Sequence, residues 1–237
     1  MSAPRLLVLD TATEVMHLGL LLGEELHSVE AEGGARASAE LLPGILKLLA
    51  DAGIALRELD AIAFGQGPGA FTGLRTACSV AQGLAYGAGR PVIALDTLLA
   101  VAEHARIQGA GPQLWALNDA RMGEIYAARY AYSAGRWQTL AAAALYSPAA
   151  LMERLRDEAP EVALAGNALS AHAEALSGMR RPCWPEARPC AAALAALARA
   201  AWARDDILPA EQALPVYVRD KVAQTTAERE AARGVAS

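Results

Sequence analysis

The chain has 237 residues, of which 54% are hydrophobic and 20% charged, so it can bury a substantial core as one large domain or two small ones. Its formal net charge of -5 gives no general attraction to a polyanion, which disfavours a free-standing nucleic-acid-binding protein. No apolar run approaches the roughly 20 residues of a membrane span, and the N-terminal run stops at Asp10, so we expect a cytosolic protein without membrane contact.

The first half of the chain predicts an antiparallel meander of three strands followed by alternating helices and strands. Short apolar runs between turn residues indicate the strands, and apolar residues at helical spacing indicate the helices. The predicted strands span residues 6–10, 16–22, 26–30, 61–64 and 92–95, and the predicted helices span residues 38–52, 72–86 and 97–107. The predicted order is therefore βββαβαβα.

The second half repeats this pattern. A strand over 114–117, a turn and a strand over 124–130 mirror residues 6–22, and a third strand follows the turn at 134–135. A helix capped by Ser147, a strand over 162–165 and helices near 167–176 and 191–203 complete a partial copy. We expect an N-terminal subdomain (1–108), a C-terminal subdomain (109–223) whose last helices can pack back on the first, and a mobile tail (224–237).

Two βββαβα units, each beginning with a strand that ends at an Asp, resemble the plan of the actin-like ATPases (ribonuclease-H-like) and sugar kinases. The expected class is thus a duplicated α/β fold with two subdomains. There the first hairpin grips a phosphate and a metal-bound water, for which Asp10, Thr11 and Thr13 are the candidates. The alternative is that Asp10 and Thr11 only build the hairpin turn. Gly166, after a later strand, is a candidate for contact with adenosine.

A glycine-rich segment, Gly67–Arg75, follows the strand at 61–64 and opens the next helix. Its glycines and Pro68 allow close backbone approach, either in a structural turn or in a cradle for phosphate. The segment has neither the Gly-Lys-Ser/Thr of a P-loop nor a nucleophile between Gly69 and Gly73. We expect a rigid turn that orients the helix.

Two residues at the start of that helix carry specific expectations. Thr72 is expected to cap the helix with its hydroxyl. Arg75 lies in the first turn, where its charge opposes the helix dipole, so local stability does not explain it. We therefore expect Arg75 to meet a carboxylate within the fold or across an interface.

Other patterns argue against catalysis. Close approach of a phosphate to the second hairpin needs glycine and hydroxyl residues, but Arg121 and Met122 stand there. The four histidines are scattered and form no metal-ligand pair, so no metal or cofactor is predicted. The cysteines, Cys78, Cys183 and Cys190, form no Cys-x-x-Cys pair and are expected to be free thiols.

The first two helices are apolar over more than the side that a sheet would cover. Apolar residues cover roughly 160° of the first helix, whereas a helix resting on one sheet needs only about 100°. Excess apolar surface on a soluble domain marks a partner site, while the alternative is deep burial within one chain. The residues predicted to form a partner or dimer interface are Leu41, Leu42, Ile45, Leu46, Leu49, Leu74, Ala77, Cys78, Ala81 and Leu84.

Four motifs together closely resemble the TsaB (YeaZ) family, and the resemblance runs from Leu6 to about Ala223. The motifs are Leu9-Asp10-Thr11-Ala12-Thr13, Gly67-Pro68-Gly69-Ala70-Phe71-Thr72-Gly73-Leu74-Arg75, Asp119-Ala120-Arg121-Met122-Gly123-Glu124-Ile125-Tyr126 and Pro215-Val216-Tyr217-Val218-Arg219-Asp220-Lys221. As a set, they are far more specific than one glycine loop.

The resemblance implies a non-catalytic paralogue of the catalytic subunit TsaD, in a complex that forms threonylcarbamoyladenosine in tRNA and also engages the ATPase TsaE. It implies pairing with TsaD through the first two helices, self-association through them when TsaD is absent, and tRNA contact only within the complex. The catalytic relative carries a His-x-x-x-His metal pair on its first helix, whereas residues 37–43 here contain no histidine.

The primary hypothesis is thus a scaffold or activator rather than an enzyme. The runner-up is an autonomous small-molecule kinase or ATPase that uses Asp10 and the Gly67–Gly73 loop. A third alternative, a peptidase, lacks a recognisable nucleophile or metal set.

Overall fold

The computed structural model describes residues 3–219, and the tail predicted over 224–237 lies outside this range. The strands are β1 (Arg5–Asp10), β2 (Val15–Leu22), β3 (Glu25–Glu32), β4 (Ala61–Gly67), β5 (Val92–Asp96), β6 (Gln113–Arg121), β7 (Glu124–Ser133), β8 (Arg136–Tyr146), β9 (Ala163–Ala165) and β10 (Cys183–Trp184). The α-helices are α1 (Ala37–Asp51), α2 (Phe71–Ala88), α3 (Thr97–Ile107), α4 (Pro148–Arg156), α5 (Ala168–Ala171) and α6 (Ala191–Ala203).

The strands form two sheets of the same topology. In the first sheet the order is β3-β2-β1-β4-β5, with β1–β3 antiparallel and β4 and β5 parallel to β1. The second sheet has the order β10-β9-β6-β7-β8, with the corresponding pairs in the same directions. Strand for strand, the second half therefore repeats the first, which confirms the duplicated actin-like α/β fold.

Helices cover both faces of the first sheet. Leu7 and Leu9 of β1 belong to a buried cluster with residues of α1 and α2, while Leu6 and Val8 belong to a cluster on the other face with residues of α6. Because β1 is buried on both faces, its sequence is a continuous apolar run rather than an alternating one. The last long helix thus packs against the first sheet.

The two halves share a middle layer. Ala100 of α3 packs in the cluster of the first sheet, whereas Leu98 and Val101 pack with buried residues of β6, β7 and β9. Helix α4 covers the far face of the second sheet, where Leu151 packs in the same cluster as Trp115. The predicted cap of α4 is confirmed, because the Ser147 hydroxyl accepts a hydrogen bond from the amide of Ala150.

Two predictions differ from the structure in the second half. The helix expected near 167–176 is only the single turn Ala168–Ala171, followed by further turns. The strand β10 was not predicted, because two residues are too short to show a period in the sequence. With β10 present, the copy is complete rather than partial.

Candidate functional site

The first hairpin begins where β1 ends at Asp10, whose side chain is fully buried. Its Oδ1 accepts a hydrogen bond from the Ala12 amide at 2.7 Å, and its Oδ2 accepts one from the Thr97 hydroxyl at 2.9 Å. A Cβ atom on Gly65 would overlap Oδ2, so the adjacent strand β4 needs a glycine there. Burial raises the pKa of Asp10 from 3.8 to about 6, although both hydrogen bonds lower it.

The two threonines of this hairpin are also engaged within the chain. The buried Thr11 hydroxyl donates to the Gly73 carbonyl oxygen at 2.7 Å, and the Thr13 hydroxyl donates to the Val15 carbonyl oxygen at 3.1 Å. Together with Asp10, these groups therefore make the contacts that the turn-building alternative requires. None of the three is left with a free side chain for a phosphate.

The glycine-rich segment packs directly on this hairpin. A Cβ atom on Gly69 would lie 2.5 Å from the Cβ of Ala12, and one on Gly73 would overlap the carbonyl oxygen of Thr11. The amide of Ala70 also donates to the Ala12 carbonyl oxygen at 2.8 Å. The glycines thus allow two backbone segments to approach each other, which is the structural-turn interpretation of the loop.

The other end of the segment contacts the C-terminal part of the described chain. Gly67 has a φ of 120° and precedes a cis peptide bond to Pro68. A Cβ atom on Gly67 would lie 2.7 Å from the Val216 carbonyl oxygen, and the Val216 amide donates to the Gln66 carbonyl oxygen at 2.7 Å. Residues 213–219 therefore run along this segment as a strap.

At the start of α2, the expected Thr72 cap was wrong, and Arg75 meets no carboxylate within the described fold; a carboxylate across an interface stays a prediction. The helix begins at Phe71 with Ala70 as its N-cap, so Thr72 lies inside the first turn and caps nothing. Arg75 donates from Nε to the Tyr217 hydroxyl at 2.9 Å, and its guanidinium lies 3.8 Å from the centre of the Phe71 ring. Among residues 3–219, no carboxylate lies within ion-pair distance of Arg75, whose charge is held by aromatic side chains instead.

The second hairpin keeps its side chains exposed. Arg121 and Met122 have φ values of 63° and 54°, a left-handed backbone that non-glycine residues seldom adopt. Arg121 forms an ion pair with Glu14 of the first hairpin. Arg219 of the strap donates to Glu124 at 2.6 Å. The tip therefore meets a charged partner, Glu14, from the opposite half, where a phosphate-binding hairpin would be small and polar.

A cleft of about 450 Å³ lies between the two hairpins. Its walls include hairpin residues Glu14 and Arg121, the start of α2, the strap and residues of the second half. Asn118 lines this cleft, is only 4% exposed, and has an Nδ2 atom without a hydrogen-bond partner among residues 3–219. The sequence interpretation missed Asn118 and Tyr217; for Asn118 the available signal was its position near the end of β6, the strand that copies β1.

The fold itself requires a glycine at position 166. Its φ is 121°, and a Cβ atom there would overlap the Leu117 carbonyl oxygen of the neighbouring strand. The cleft is lined instead by the next residue, Asn167, whose Oδ1 accepts a hydrogen bond from the Asp119 amide at 2.8 Å. The predicted contact of Gly166 with an adenosine stays a prediction.

The ten residues predicted for the interface divide into two sets. Two of them, Leu42 and Leu46, are 42% and 53% exposed, and Leu84 is half-buried. The other seven belong to the core of their own chain, a correction to the prediction that they form a surface; they are Leu41, Ile45, Leu49, Leu74, Ala77, Cys78 and Ala81. The apolar arc of α1 was wide because α1 packs on the sheet and on α2 at once.

The outer face of α1 and α2 combines apolar and very small residues. On α1 the exposed residues at helical spacing are Ala39, Leu42, Pro43, Leu46 and Ala50. On α2, Gly83 and Gly87 are exposed with open space where a side chain would be, and Tyr86 beside them is 78% exposed. This surface, termed the α1/α2 face, would allow another helix to approach closely.

Residues 3–219 show neither a cluster of metal-ligating side chains nor a helix suited to span a membrane. No three His, Cys, Asp or Glu side chains in this range are arranged to hold a metal ion. None of its helices combines the length and apolar character needed to cross a membrane. Cys78 and Cys190 are buried free thiols, and Cys183 is an exposed one.

Comparison with known proteins identifies a matching family and relatives of this chain. Residues 30–225 match the family described as TsaD, tRNA N6-adenosine threonylcarbamoyltransferase. The tRNA threonylcarbamoyladenosine biosynthesis protein TsaB of Escherichia coli is 31% identical over 92% of this chain and 96% of its own length. The TsaB of Haemophilus influenzae is 43% identical over 51% of each chain.

A solved structure agrees with these relatives. YeaZ from Pseudomonas aeruginosa superimposes with a TM-score of 0.80 at 38% identity, covering 92% of this chain and all of its own. Similarity in sequence and in structure thus extends over both halves of the duplicated fold. The chain belongs to the TsaB (YeaZ) family of tRNA threonylcarbamoyladenosine biosynthesis proteins.

Proposed function

We propose that this chain is a non-catalytic scaffold or activator subunit of the complex that forms threonylcarbamoyladenosine in tRNA. In this proposal it pairs with a catalytic TsaD subunit through the α1/α2 face, and the assembled complex engages the ATPase TsaE. The observation that carries the proposal is the burial of Asp10, with both carboxylate oxygens bonded inside the chain.

Burial of this carboxylate argues against phosphoryl transfer by the chain itself. Enzymes of that class need acidic groups that hold metal ions beside the phosphates and a cradle that fixes the phosphates in line. Here Asp10 is inaccessible, the glycine-rich segment is packed against Ala12, and Arg121 occupies the second hairpin. The autonomous kinase or ATPase is therefore the weaker alternative.

The α1/α2 face supports a protein partner. Leu42 and Leu46 expose apolar side chains, and the open glycines Gly83 and Gly87 leave room for a packed helix. A partner of related fold is suggested by the match of residues 30–225 to the TsaD family, since paralogues pair readily through equivalent elements. When TsaD is absent, the same face would allow a homodimer.

Other parts of the proposal concern tRNA and location. The net charge of -5 favours an arrangement in which tRNA is held mainly by other subunits and reaches this chain only within the complex. We expect the complex to act in the cytoplasm, where tRNA is modified. No metal or cofactor is needed by a subunit that acts through association.

Co-purification with TsaD tests the proposal. Leu46→Glu places a charge at the centre of the α1/α2 face, so we expect association to be lost because the carboxylate would be buried without a partner. Leu140→Glu is the matched control, since Leu140 is 43% exposed on β8 of the other half. Ala81 is unsuitable for this test because its buried side chain supports the fold.

Both variants are first checked by circular dichroism and size-exclusion chromatography. The proposal predicts that Leu140→Glu co-elutes with TsaD and Leu46→Glu does not. Co-elution of a folded Leu46→Glu variant at the unmodified level would reject the α1/α2 face as the contact.

A further inference from the structure

A second cavity, of about 670 Å³, lies far from the cleft between the two hairpins. Strand β2 runs from the first hairpin to the turn at 23–24, and β7 runs from the second hairpin to the turn at 134–135; the cavity lies beside these two turns. Its remaining walls come mainly from α3 and α6, so we term this space the α3/α6 cavity. It shares no lining residue with the cleft.

Most residues in the wall of the α3/α6 cavity are apolar. Helix α6 contributes small residues, and leucines come from β2, β3, α3 and α6. These residues are Leu21, Leu26, Leu99, Ala192, Ala195, Ala196, Leu197 and Ala200. The second half adds two aromatic rings, those of Tyr132 and Trp137, whose centres are 5.1 Å apart. A wall of this composition is typical of a site that holds a hydrocarbon group.

Two carboxylates also line the cavity, and arginines engage both of them. Glu103 is only 3% exposed and accepts hydrogen bonds from Nε of Arg106 at 2.7 Å and from Nε1 of Trp137 at 2.9 Å. Glu24 accepts a hydrogen bond from Arg199 at 2.7 Å. Each carboxylate therefore neutralises one arginine of the wall.

Two further arginines of the wall lack such compensation. The side chain of Arg136, at the start of β8, is exposed and has no hydrogen-bond or ion-pair partner among residues 3–219. Arg204, at the end of α6, contacts Asp206 at 3.5 Å, but that carboxylate is 70% exposed and does not line the cavity. Solvent screens an ion pair of this kind. The cavity thus places uncompensated positive charge beside an apolar wall.

We propose that the α3/α6 cavity binds a small amphipathic carboxylate of the fatty-acid type. The hydrocarbon chain covers the apolar wall, and its removal from water supplies favourable free energy. The carboxylate meets the positive charge of Arg136 and Arg204, whose guanidinium groups are suited to hold it through charge-assisted hydrogen bonds. The volume of about 670 Å³ lies within the range of small-molecule sites. This ligand goes beyond the subunit function proposed above and does not depend on it.

Calorimetry of the full chain with octanoate, 1-octanol and acetate tests both parts of this inference. We expect octanoate to bind saturably and 1-octanol, which lacks the charge, to bind at least about tenfold more weakly. Acetate, which lacks the chain, should bind at least about a hundredfold more weakly. Absence of saturable octanoate binding would overturn the proposal. Equal affinities for octanoate and 1-octanol would overturn the assignment of a carboxylate.

The double variant Arg136→Gln with Arg204→Gln tests where the carboxylate lies. Both side chains are exposed, so the variant should remain folded by circular dichroism. We expect octanoate to bind at least about fivefold more weakly and 1-octanol to bind as before. The matched control is Arg57→Gln with Arg180→Gln, which removes two exposed arginines outside the cavity and should leave both affinities unchanged.

Ala196→Phe tests the apolar part of the site. A phenyl group at this half-buried position of the wall would fill part of the cavity, so octanoate and 1-octanol should both bind at least about tenfold more weakly. Thermal unfolding distinguishes a ligand from a surfactant, because a ligand that binds only the folded chain raises the melting temperature. A melting temperature lowered by octanoate, or unchanged octanoate affinity in the folded Arg136→Gln and Arg204→Gln variant, would reject the site.

Discussion

The two hairpins occupy equivalent positions in the duplicated fold but meet different surroundings. In the first, Asp10 and Thr11 are buried and the glycine-rich segment packs on the turn. In the second, Arg121 and Met122 stay exposed at the tip in a left-handed backbone. The comparison shows that the same topology can pack one hairpin as a structural anchor and leave the tip of the other exposed.

The difference arises from the segment that packs beside each hairpin. In the first half, the segment from Gly65 to Gly73 covers the end of β4, a short connection and the start of α2, and its small residues allow close contact with Thr11 and Ala12. In the second half, β9 leads into Gly166 and the single turn α5, which leaves room for the cleft. The packing of the neighbouring segment therefore distinguishes the anchored first hairpin from the exposed second one.

The largest predicted effect concerns Gly73. Gly73→Ala would force a methyl group into the carbonyl of Thr11, which is buried and directly follows the doubly paired strand β1, so we expect destabilisation of more than about 3 kcal/mol or failure to fold. Gly83→Ala in the same helix meets open space and should stabilise by about 0.5–1 kcal/mol. Urea denaturation of both variants measures the contrast. Equal effects would show that the segment is not anchored as described.

The next effect is a pH dependence produced by Asp10. Its folded pKa of about 6 lies above the ordinary 3.8, so its contribution to stability is fully present below pH 3.8 and is lost as the pH rises to about 6. The loss amounts to about 3 kcal/mol for this fully buried group. Asp10→Asn should remove this pH dependence. Between pH 4 and 7 the free energy of unfolding of the variant should therefore rise by about 3 kcal/mol relative to that of the unmodified chain.

Urea denaturation at pH 4, 5, 6 and 7 measures this difference. Asp51→Asn, at an exposed carboxylate on α1, controls for the loss of one negative charge. A difference between Asp10→Asn and the unmodified chain that stays constant with pH would contradict the burial of Asp10.

The smallest effect is expected for the ion pair that joins the two hairpins. The Glu14 and Arg121 side chains are 73% and 67% exposed, so solvent screens their attraction and a double-mutant cycle should give a coupling below about 1 kcal/mol. The coupling should fall further in 0.5 M salt. A large, salt-independent value would mean that the hairpins lock the cleft rather than border it.

Local patterns in the sequence were sufficient to predict most of the fold. Apolar periodicity and turn residues located all the long elements, and the repeat of a strand, turn and strand after residue 113 indicated the duplication. Short elements were missed or misjudged: β10 has only two residues, and α5 has one turn. Elements of that length are specified by neighbouring strands and loops, which a local pattern does not show.

The candidate site was less predictable because it depends on contacts between distant residues. An apolar arc on α1 could not distinguish the buried Leu41 from the exposed Leu46, since both lie on the same wide arc. Arg75 meets Tyr217, which lies 142 residues away, so nothing near it in the sequence indicated an aromatic partner. The unpaired amide of Asn118 likewise became visible only once the cleft had formed.

Reconstituted tRNA modification tests the central claim, that this chain serves as a subunit without a catalytic site of its own. Threonylcarbamoyladenosine is measured by nucleoside mass spectrometry after tRNA and threonylcarbamoyl adenylate are incubated with TsaD, TsaE and either the unmodified chain, Asp10→Asn, Leu46→Glu or no chain. We predict full modification with the first two and little with the last two. Modification that is lost with a folded Asp10→Asn variant, or that proceeds without the chain, would contradict this claim.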